Sequence, residues 1–268
     1  MNSQSPQLRL RVQDLSIDFG GLKALSSFSC EIYHGELVGL IGPNGAGKTT
    51  AFNLLSGIYA PSAGDIEFRD KHGSTHLVKG YDPAKLNHLG VARTFQNIRL
   101  FTKLSVEDNI LIALHSDRTS NPIDALFRLK RFRNDEEKMR IKTHELLSLF
   151  KIENKKNELA MNLPYGEQRK LEIARALASN PSLLLLDEPA AGMNPQETEE
   201  LMKTINFIKD EFRLAIFLIE HDMRLVMGIC KRLIVLDYGR IIATGTPEEI
   251  RNNPAVIKAY LGTEAVNV

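Results

Sequence analysis

Cysteine is scarce in this sequence: Cys30 and Cys230 are the only two in 268 residues. That excludes a disulfide framework and suggests a reducing compartment. Long hydrophobic runs are missing as well, and none approaches the roughly 20 residues a membrane helix needs. Work at a membrane is therefore expected only of a peripheral subunit. Met1 to Arg11 lacks the hydrophobic core of a signal peptide. Nor is there an excess of one charge, since 34 Lys and Arg against 33 Asp and Glu leave a formal +1. This balance supplies no bulk field for nucleic acid, which is not expected as a partner. No internal repeat and no low-complexity tract is present. The length suffices for a large core, as one domain or as one domain with a subdomain.

What the sequence does contain is organised around Gly42-Pro43-Asn44-Gly45-Ala46-Gly47-Lys48-Thr49. This stretch fits G-x-x-x-x-G-K-[ST]. Leu37 to Ile41 reads as a buried strand feeding into it, and Thr49 to Leu55 as a helix behind it, with Gly57 as C-cap. Glycines let the backbone wrap a phosphate, while successive N–H groups and the helix N-terminus face the anion. Lys48 adds a positive charge near the β- and γ-phosphates, and Thr49 an oxygen ligand for Mg²⁺. The motif by itself specifies a nucleoside triphosphate and not the use made of its energy.

Before this loop, Leu8, Leu10 and Val12 alternate with Arg9 and Arg11, and Leu15, Ile17 and Phe19 continue with period two. Phe28, Cys30 and Ile32 repeat the pattern, so an antiparallel β segment is expected. Phe19 either stacks on adenine or belongs to the core. After the loop's helix come a short strand at Asp65 to Arg69, a surface loop from Asp70 to Gly80 and a helix opened by Asp82-Pro83. Val91 to Phe95 reads as a strand ending at Gln96, a residue that either reaches a metal or a water or satisfies a loop.

Ser105-Val106-Glu107-Asp108 starts a helix through Leu114. Strand signals then vanish, and residues of about 97–180 are expected to form a helical subdomain inserted into an α/β core. Met139, Leu146, Leu147 and Phe150 lie on one face of a helix beginning near Asn134. Leu126 to Arg133 mixes apolar and basic residues, which fits either a solvated helix or a membrane or partner contact.

Strand signals return at Leu183 to Leu186, followed by Asp187-Glu188-Pro189. Asn194-Pro195-Gln196-Glu197 starts a helix, and Leu214 to Ile219 is a second continuous apolar strand ending at Glu220-His221-Asp222. Such continuous runs suit a parallel sheet covered on both faces. Leu233 to Leu236 and Arg240 to Ala243 pair as a hairpin around Tyr238-Gly239, and a helical tail follows over about 247–262. An apolar strand ending in Asp187 places that carboxylate beside a phosphate loop, where it helps hold Mg²⁺. Glu188 next to it faces water near the γ-phosphate as base or water-positioner, or the pair is a plain strand terminus. His221 either donates to the γ-phosphate or is structural.

The order of these elements resembles that of the ATP-binding subunits of ABC transporters, over nearly the whole length. The resemblance implies an α/β fold with a P-loop NTPase core, an N-terminal antiparallel β segment and an inserted helical subdomain, all within one ABC ATP-binding domain over 1–268. It implies ATP and Mg²⁺ as cofactors. The nucleotide is then bound by Gly42, Asn44, Gly45, Ala46, Gly47, Lys48, Thr49 and Thr50, with Phe19 at the adenine. Glu188, His221 and Gln96 take the catalytic roles, and Thr49, Gln96 and Asp187 the metal. The D-loop lies near Ala191 to Asn194. The signature, usually Leu-Ser-Gly-Gly-Gln, falls at Leu163-Pro164-Tyr165-Gly166-Glu167-Gln168. It keeps Leu163 and Gly166, while Pro164, Tyr165 and Glu167 depart from it.

Ala92 to Phe101 and the tail from Gly245-Thr246-Pro247 to Tyr260-Leu261-Gly262 are similar to the ATPases of branched-chain amino acid importers. Such a subunit implies integral membrane permeases as partners and a second related ATPase or a second copy of itself. It also implies an external substrate-binding protein acting indirectly, and a peripheral place on the cytoplasmic face of the inner membrane. ATPases of urea or amide import and of lipopolysaccharide export are similar in sequence. A soluble non-transport ABC ATPase is the rival from another class; it usually carries tandem cores, long coiled coils or a zinc hook. An inactive regulatory module fits poorly with Lys48, Asp187, Glu188 and His221 all in place.

Overall fold

The computed structural model describes residues 7–115 and 130–264. They form two compact units, one from residues up to Arg93 together with those from Ser182 onward, the other Thr94–Pro181. Elements are numbered in chain order.

In the first unit, β1 (Leu8–Phe19) and β2 (Leu22–Tyr33) pair antiparallel around Gly20-Gly21, where both residues have positive φ. β4 (Ala63–Arg69) joins the other edge of β1, and β5 (Thr75–Leu77) joins β4. The sequence pattern suggested only a loop over 70–80. β5 is short and polar, and its return is set by one side chain: Asp70 Oδ1 accepts from the N–H groups of His72 and Ser74.

The second sheet of this unit is six-stranded, in the order β10-β9-β3-β8-β7-β6. Its strands are β3 (Leu37–Ile41), β6 (Val91–Arg93), β7 (Leu183–Asp187), β8 (Ala215–Ile219), β9 (Arg232–Asp237) and the antiparallel edge strand β10 (Arg240–Gly245). Every residue of β3, β7 and β8 is buried, the reason these strands read as unbroken apolar runs. Helix α1 (Lys48–Leu55) lies in the same apolar cluster as both sheets. Its Phe52 ring sits 5.2 Å from that of Phe217 on β8, while Leu10, Val12 and Ile66 contribute from the antiparallel sheet. Burying one such aromatic or aliphatic side chain is worth about 1.5–3 kcal/mol, so this layer fixes where α1 and the loop before it stand.

The remaining helices of this unit are α2 (Pro83–Leu89), α6 (Pro195–Glu211), α7 (Met223–Ile229), α8 (Pro247–Arg251) and α9 (Pro254–Glu264). Asp82 caps α2 by accepting from Lys85 N–H. Capping boxes start α6, between Asn194 and Glu197, and α8, between Thr246 and Glu249.

The Thr94–Pro181 unit holds α3 (Val106–Leu114), α4 (Lys130–Leu149) and α5 (Tyr165–Ala178). Met139, Leu146, Leu147 and Phe150 are buried together, as the 3.6-residue period requires. Helix α4 is already helical at Lys130, four residues ahead of the start read from the pattern. Leu126 to Leu129 of the basic segment lie outside the described residues, while Arg131 and Arg133 are exposed on α4. The strand read over 91–95 stops at Arg93. Beyond it, the carbonyls of Phe95 and Gln96 accept from the fully buried guanidinium of Arg169, at 2.7 and 2.8 Å, rather than joining a ladder. Glu172 pairs with the same arginine at 2.7 Å and accepts from Arg99 N–H.

Candidate nucleotide site

Parallel pairing aligns the carboxyl ends of β3, β7 and β8, with Asp187 opposite Ile219 and Leu40 opposite Ile219. In open α/β sheets ligands bind beyond such ends. The loop leaving β3 turns sharply at Gly42, where φ is +153° and a Cβ would stand 2.1 Å from the Leu236 carbonyl oxygen. It enters α1 through Gly47, at φ +102°. No larger residue fits the first of these positions without moving the β9 backbone.

The loop is braced from outside. Gly239 in the β9–β10 turn donates to the Ala46 carbonyl at 2.9 Å, and Ser26 on β2 donates to the Gly239 carbonyl at 2.8 Å. Inside it, Lys48 Nζ donates to the carbonyls of Gly42 (2.6 Å) and Pro43 (2.9 Å). Burial pushes the Lys48 amine below its ordinary pKa, while the neighbouring carboxylates of Glu188 and Asp187 pull it back up. The ammonium is thus parked on weak neutral acceptors next to two carboxylates. An incoming anion gives it a stronger partner.

A cavity of about 320 Å³ opens over the loop. It is lined by Asn44 to Thr50, by Glu188, by Leu22 to Ala24 at the start of β2, and by Tyr238 and Gly239 of the β9–β10 turn, of which Tyr238 is exposed. Phe19 does not line it; its ring meets the Tyr59 ring edge-on, centroids 5.3 Å apart. Both rings are partly exposed.

Asp187, the last residue of β7, is buried and its Oδ2 receives Arg93 Nη2 at 2.7 Å. Arg93 also donates to Asn53 Oδ1 (2.8 Å) and Ser56 Oγ (2.7 Å), both at the end of α1. This arginine was not picked out from the sequence as a site residue. Glu188 follows in the left-handed region, φ +46°, and its N–H donates to the Ile219 carbonyl at 2.9 Å. The turn aims its carboxylate into the cavity and puts Oε2 3.5 Å from Nδ1 of His221, which is 62% exposed at its side chain.

Asp187 and the Thr49 hydroxyl are hard oxygen donors of the kind Mg²⁺ takes, and the described residues contain no group of three or more His, Cys, Asp or Glu able to hold a metal alone. Such a sparse donor set suits an ion shared with substrate phosphates.

Gln96 and the Leu163–Gln168 segment belong to the Thr94–Pro181 unit. There, Pro164 is the N-cap of α5 without any side-chain acceptor, and the N–H groups of Glu167 and Gln168 turn back to its carbonyl. Glu167 pairs with Lys155 at 2.6 Å, and Gln168 Nε2 donates to the Leu163 carbonyl at 2.8 Å. Gly166 is buried in the first turn.

A phosphate-wrapping loop at the end of a parallel strand, a buried lysine within it and two carboxylates from the end of β7, one strand beyond β8, define a P-loop nucleoside triphosphatase. The ABC transporter family profile matches residues 25–191, and that of the branched-chain amino acid ATP-binding cassette transporters matches 240–266. The chain belongs to the ABC transporter ATP-binding family and hydrolyses ATP. It is 45% identical over 253 residues to the high-affinity branched-chain amino acid transport ATP-binding protein LivG of Escherichia coli K12, covering 94% of this chain and 97% of that one. BraF of Pseudomonas aeruginosa, described in the same words, is 43% identical over 94% and 97%. The lipopolysaccharide export ATP-binding protein LptB of Haemophilus influenzae is 32% identical over 95% and 98%. Among solved structures, the ADP conformation of MJ1267, an ATP-binding cassette of an ABC transporter, superposes with a TM-score of 0.81 at 30% identity, over 96% of this chain and 99% of that one.

Proposed function

We propose that this chain is the ATP-hydrolysing peripheral subunit of an importer for branched-chain amino acids, held at the cytoplasmic face of the inner membrane by integral permease subunits. The observation that supports this substrate class is the match of the C-terminal 240–266 segment to the branched-chain profile, alongside the LivG and BraF identities. Lipopolysaccharide export is the second reading, on the 32% identity to LptB.

In this reading the backbone from Gly42 to Gly47 and the α1 N-terminus hold the β- and γ-phosphates, and Lys48 leaves its carbonyl partners for them. Thr49, Asp187 and Gln96 would hold Mg²⁺, whose charge offsets that of the phosphates. Thr50 completes the phosphate contacts, and Phe19, with Tyr59 at its edge, offers a face to the adenine. Glu188 takes or orients the proton of the attacking water, and His221 donates to the γ-phosphate as its charge redistributes. ADP and phosphate leave.

The residues 97–180 form the helical subdomain in this reading, and Asn97 to Phe101 beside Gln96 meets the permease. The Leu163–Gln168 signature serves a second ATPase subunit. Because Pro164 lacks the usual hydroxyl, that second subunit is a related chain with a standard signature rather than a copy of this one.

The test is reconstitution of the full chain with its permease subunits and partner ATPase in liposomes. Leucine delivered by a binding protein should raise ATP hydrolysis several-fold and accumulate inside. Failure of leucine, isoleucine and valine alike, in an assembly that hydrolyses ATP, would remove the substrate assignment and leave the ATPase assignment standing.

A further inference from the structure

Glu220 follows β8 and is 1% exposed, yet the hydrolytic roles above make no use of it. One of its oxygens, Oε1, accepts from the Ala190 N–H at 2.8 Å. The other, Oε2, accepts from the His221 N–H at 3.1 Å and from the Asp222 N–H at 3.4 Å. Among the described residues, the donors to this buried carboxylate are all backbone amides. They lie in two separate loops, one just after Glu188 and one containing His221.

The neighbouring residue extends the tie. The Ile219 carbonyl accepts from the Glu188 N–H at 2.9 Å, so consecutive residues of one strand end take the amides of 188 and 190. Glu188 itself has φ +46°. A left-handed conformation is costly for a non-glycine residue and persists only where the surroundings over-determine it. Here they do so through the Ile219 carbonyl and the Glu220 carboxylate. The same carboxylate fixes the peptide that carries His221.

We infer that Glu220 is a positioning residue for hydrolysis: its carboxylate locks the Glu188 turn to the His221 loop, so that the two side chains face one γ-phosphate in register. The inference rests on the reading of Glu188 and His221 as the hydrolytic pair. An amide in place of this carboxylate must point an NH₂ group at a backbone N–H on one side or the other, because each oxygen already accepts. One of the two loops is then released. The phosphate loop, bonded elsewhere, is untouched.

In the full-length chain, Glu220→Gln should lower kcat for ATP hydrolysis at least about 10-fold while KM for ATP changes less than about 2-fold. On a His221→Ala background the same substitution should change kcat by less than about 3-fold, since residues acting as a unit are not additive. Glu220→Asp, which keeps the charge and the near amides but cannot span to Ala190, is the second variant if Glu220→Gln melts too low to assay. It should fold and also lose kcat at constant KM. Normal kcat in either folded variant, KM rising in step with the loss, or full additivity with His221→Ala would each overturn the inference. Glu188→Gln assayed in parallel separates the two claims: normal turnover there overturns the hydrolytic pair, whereas normal turnover in the Glu220 variants alone overturns only the lock.

Discussion

Arg93 Nη2 stands 2.7 Å from Asp187 Oδ2, with the two side chains 6% and 5% exposed. The guanidinium fork spans three acceptors, since Nη1 serves Asn53 and Ser56 while Nη2 serves the carboxylate. β6 is thereby joined to the end of α1 and to the carboxylate that closes β7. One Asp187 oxygen, Oδ2, is oriented by the pair. An arginine here serves as a fixed bracket, because its planar fork loses less freedom per hydrogen bond than a lysine stem would.

Removing that bracket strands a buried carboxylate. Arg93→Met should destabilise the nucleotide-free protein by about 3–5 kcal/mol, the usual cost of orphaning one member of a buried pair. Arg93→Lys keeps the charge but cannot reach Asn53, Ser56 and Asp187 at once, and should fall between the two. Urea denaturation of the three proteins checks the order. A Met variant as stable as the parent would show that Asp187 needs no partner.

Local signals made much of this architecture legible in the sequence. Four leucines before Asp187 and the run before Glu220 suited strands covered on both faces, as β7 and β8 are, and Asn194-Pro195 marked the start of its helix within a residue. Arg93 was not legible as a site residue, because its acceptor Asp187 lies 94 positions away and nothing in the local pattern distinguishes it from a surface arginine. Arg169 is similar: it reads as one more charge on α5, yet it is fully buried on the Phe95 and Gln96 carbonyls. Phe19 shows a different limit. Its period-two position was equally compatible with the core, but it ends β1 next to the Gly20-Gly21 turn and is 44% exposed against Tyr59. β5 escaped notice because three residues are too few to carry measurable alternation.

Two substitutions at the cavity should fail in different ways. Glu188→Gln preserves shape and removes charge, so hydrolysis should drop by roughly 10²-fold or more, while ATP still binds and ATP-dependent dimers accumulate on a sizing column. Lys48→Ala removes the cation poised on Gly42 and Pro43. It should abolish the ATP-induced rise in melting temperature that the parent and Glu188→Gln share. Equal nucleotide responses in all three proteins would contradict the separation of binding from chemistry.

Burial raises both thiols, Cys30 and Cys230, to about 12. In the unfolded chain they titrate near the ordinary value, so between that value and about 12 the folded state holds more protons than the unfolded one. Their contribution to stability is therefore intact at neutral pH and declines as pH rises. At pH 8 the native protein should give almost no thiolate reaction with an aromatic disulfide reagent, and both cysteines should react once urea unfolds it. Rapid native labelling at either position would mean that the strand or helix end covering it opens readily.

Pro164 heads α5 with φ −55° and ψ 153°, the geometry of an N-cap, but has no side-chain oxygen to accept from the first turn. Serine there would do two things. As a cap it should stabilise the helix by about 1 kcal/mol, an effect visible without nucleotide. As a hydroxyl and an N–H aimed out of the helix start, it would also restore donors to a γ-phosphate held by a partner ATPase. A charge-assisted hydrogen bond is worth about 1.5–3 kcal/mol, or very roughly 10- to 100-fold in affinity or rate. Pro164→Ser should therefore raise the melting temperature slightly in every condition and, with ATP, should strengthen self-association and raise hydrolysis in the isolated chain. The two effects separate cleanly, because only the second requires ATP. A variant that melts higher yet dimerises and hydrolyses no better than the parent would keep the cap and discard the asymmetric pair of sites, leaving Pro164 as a plain helix start.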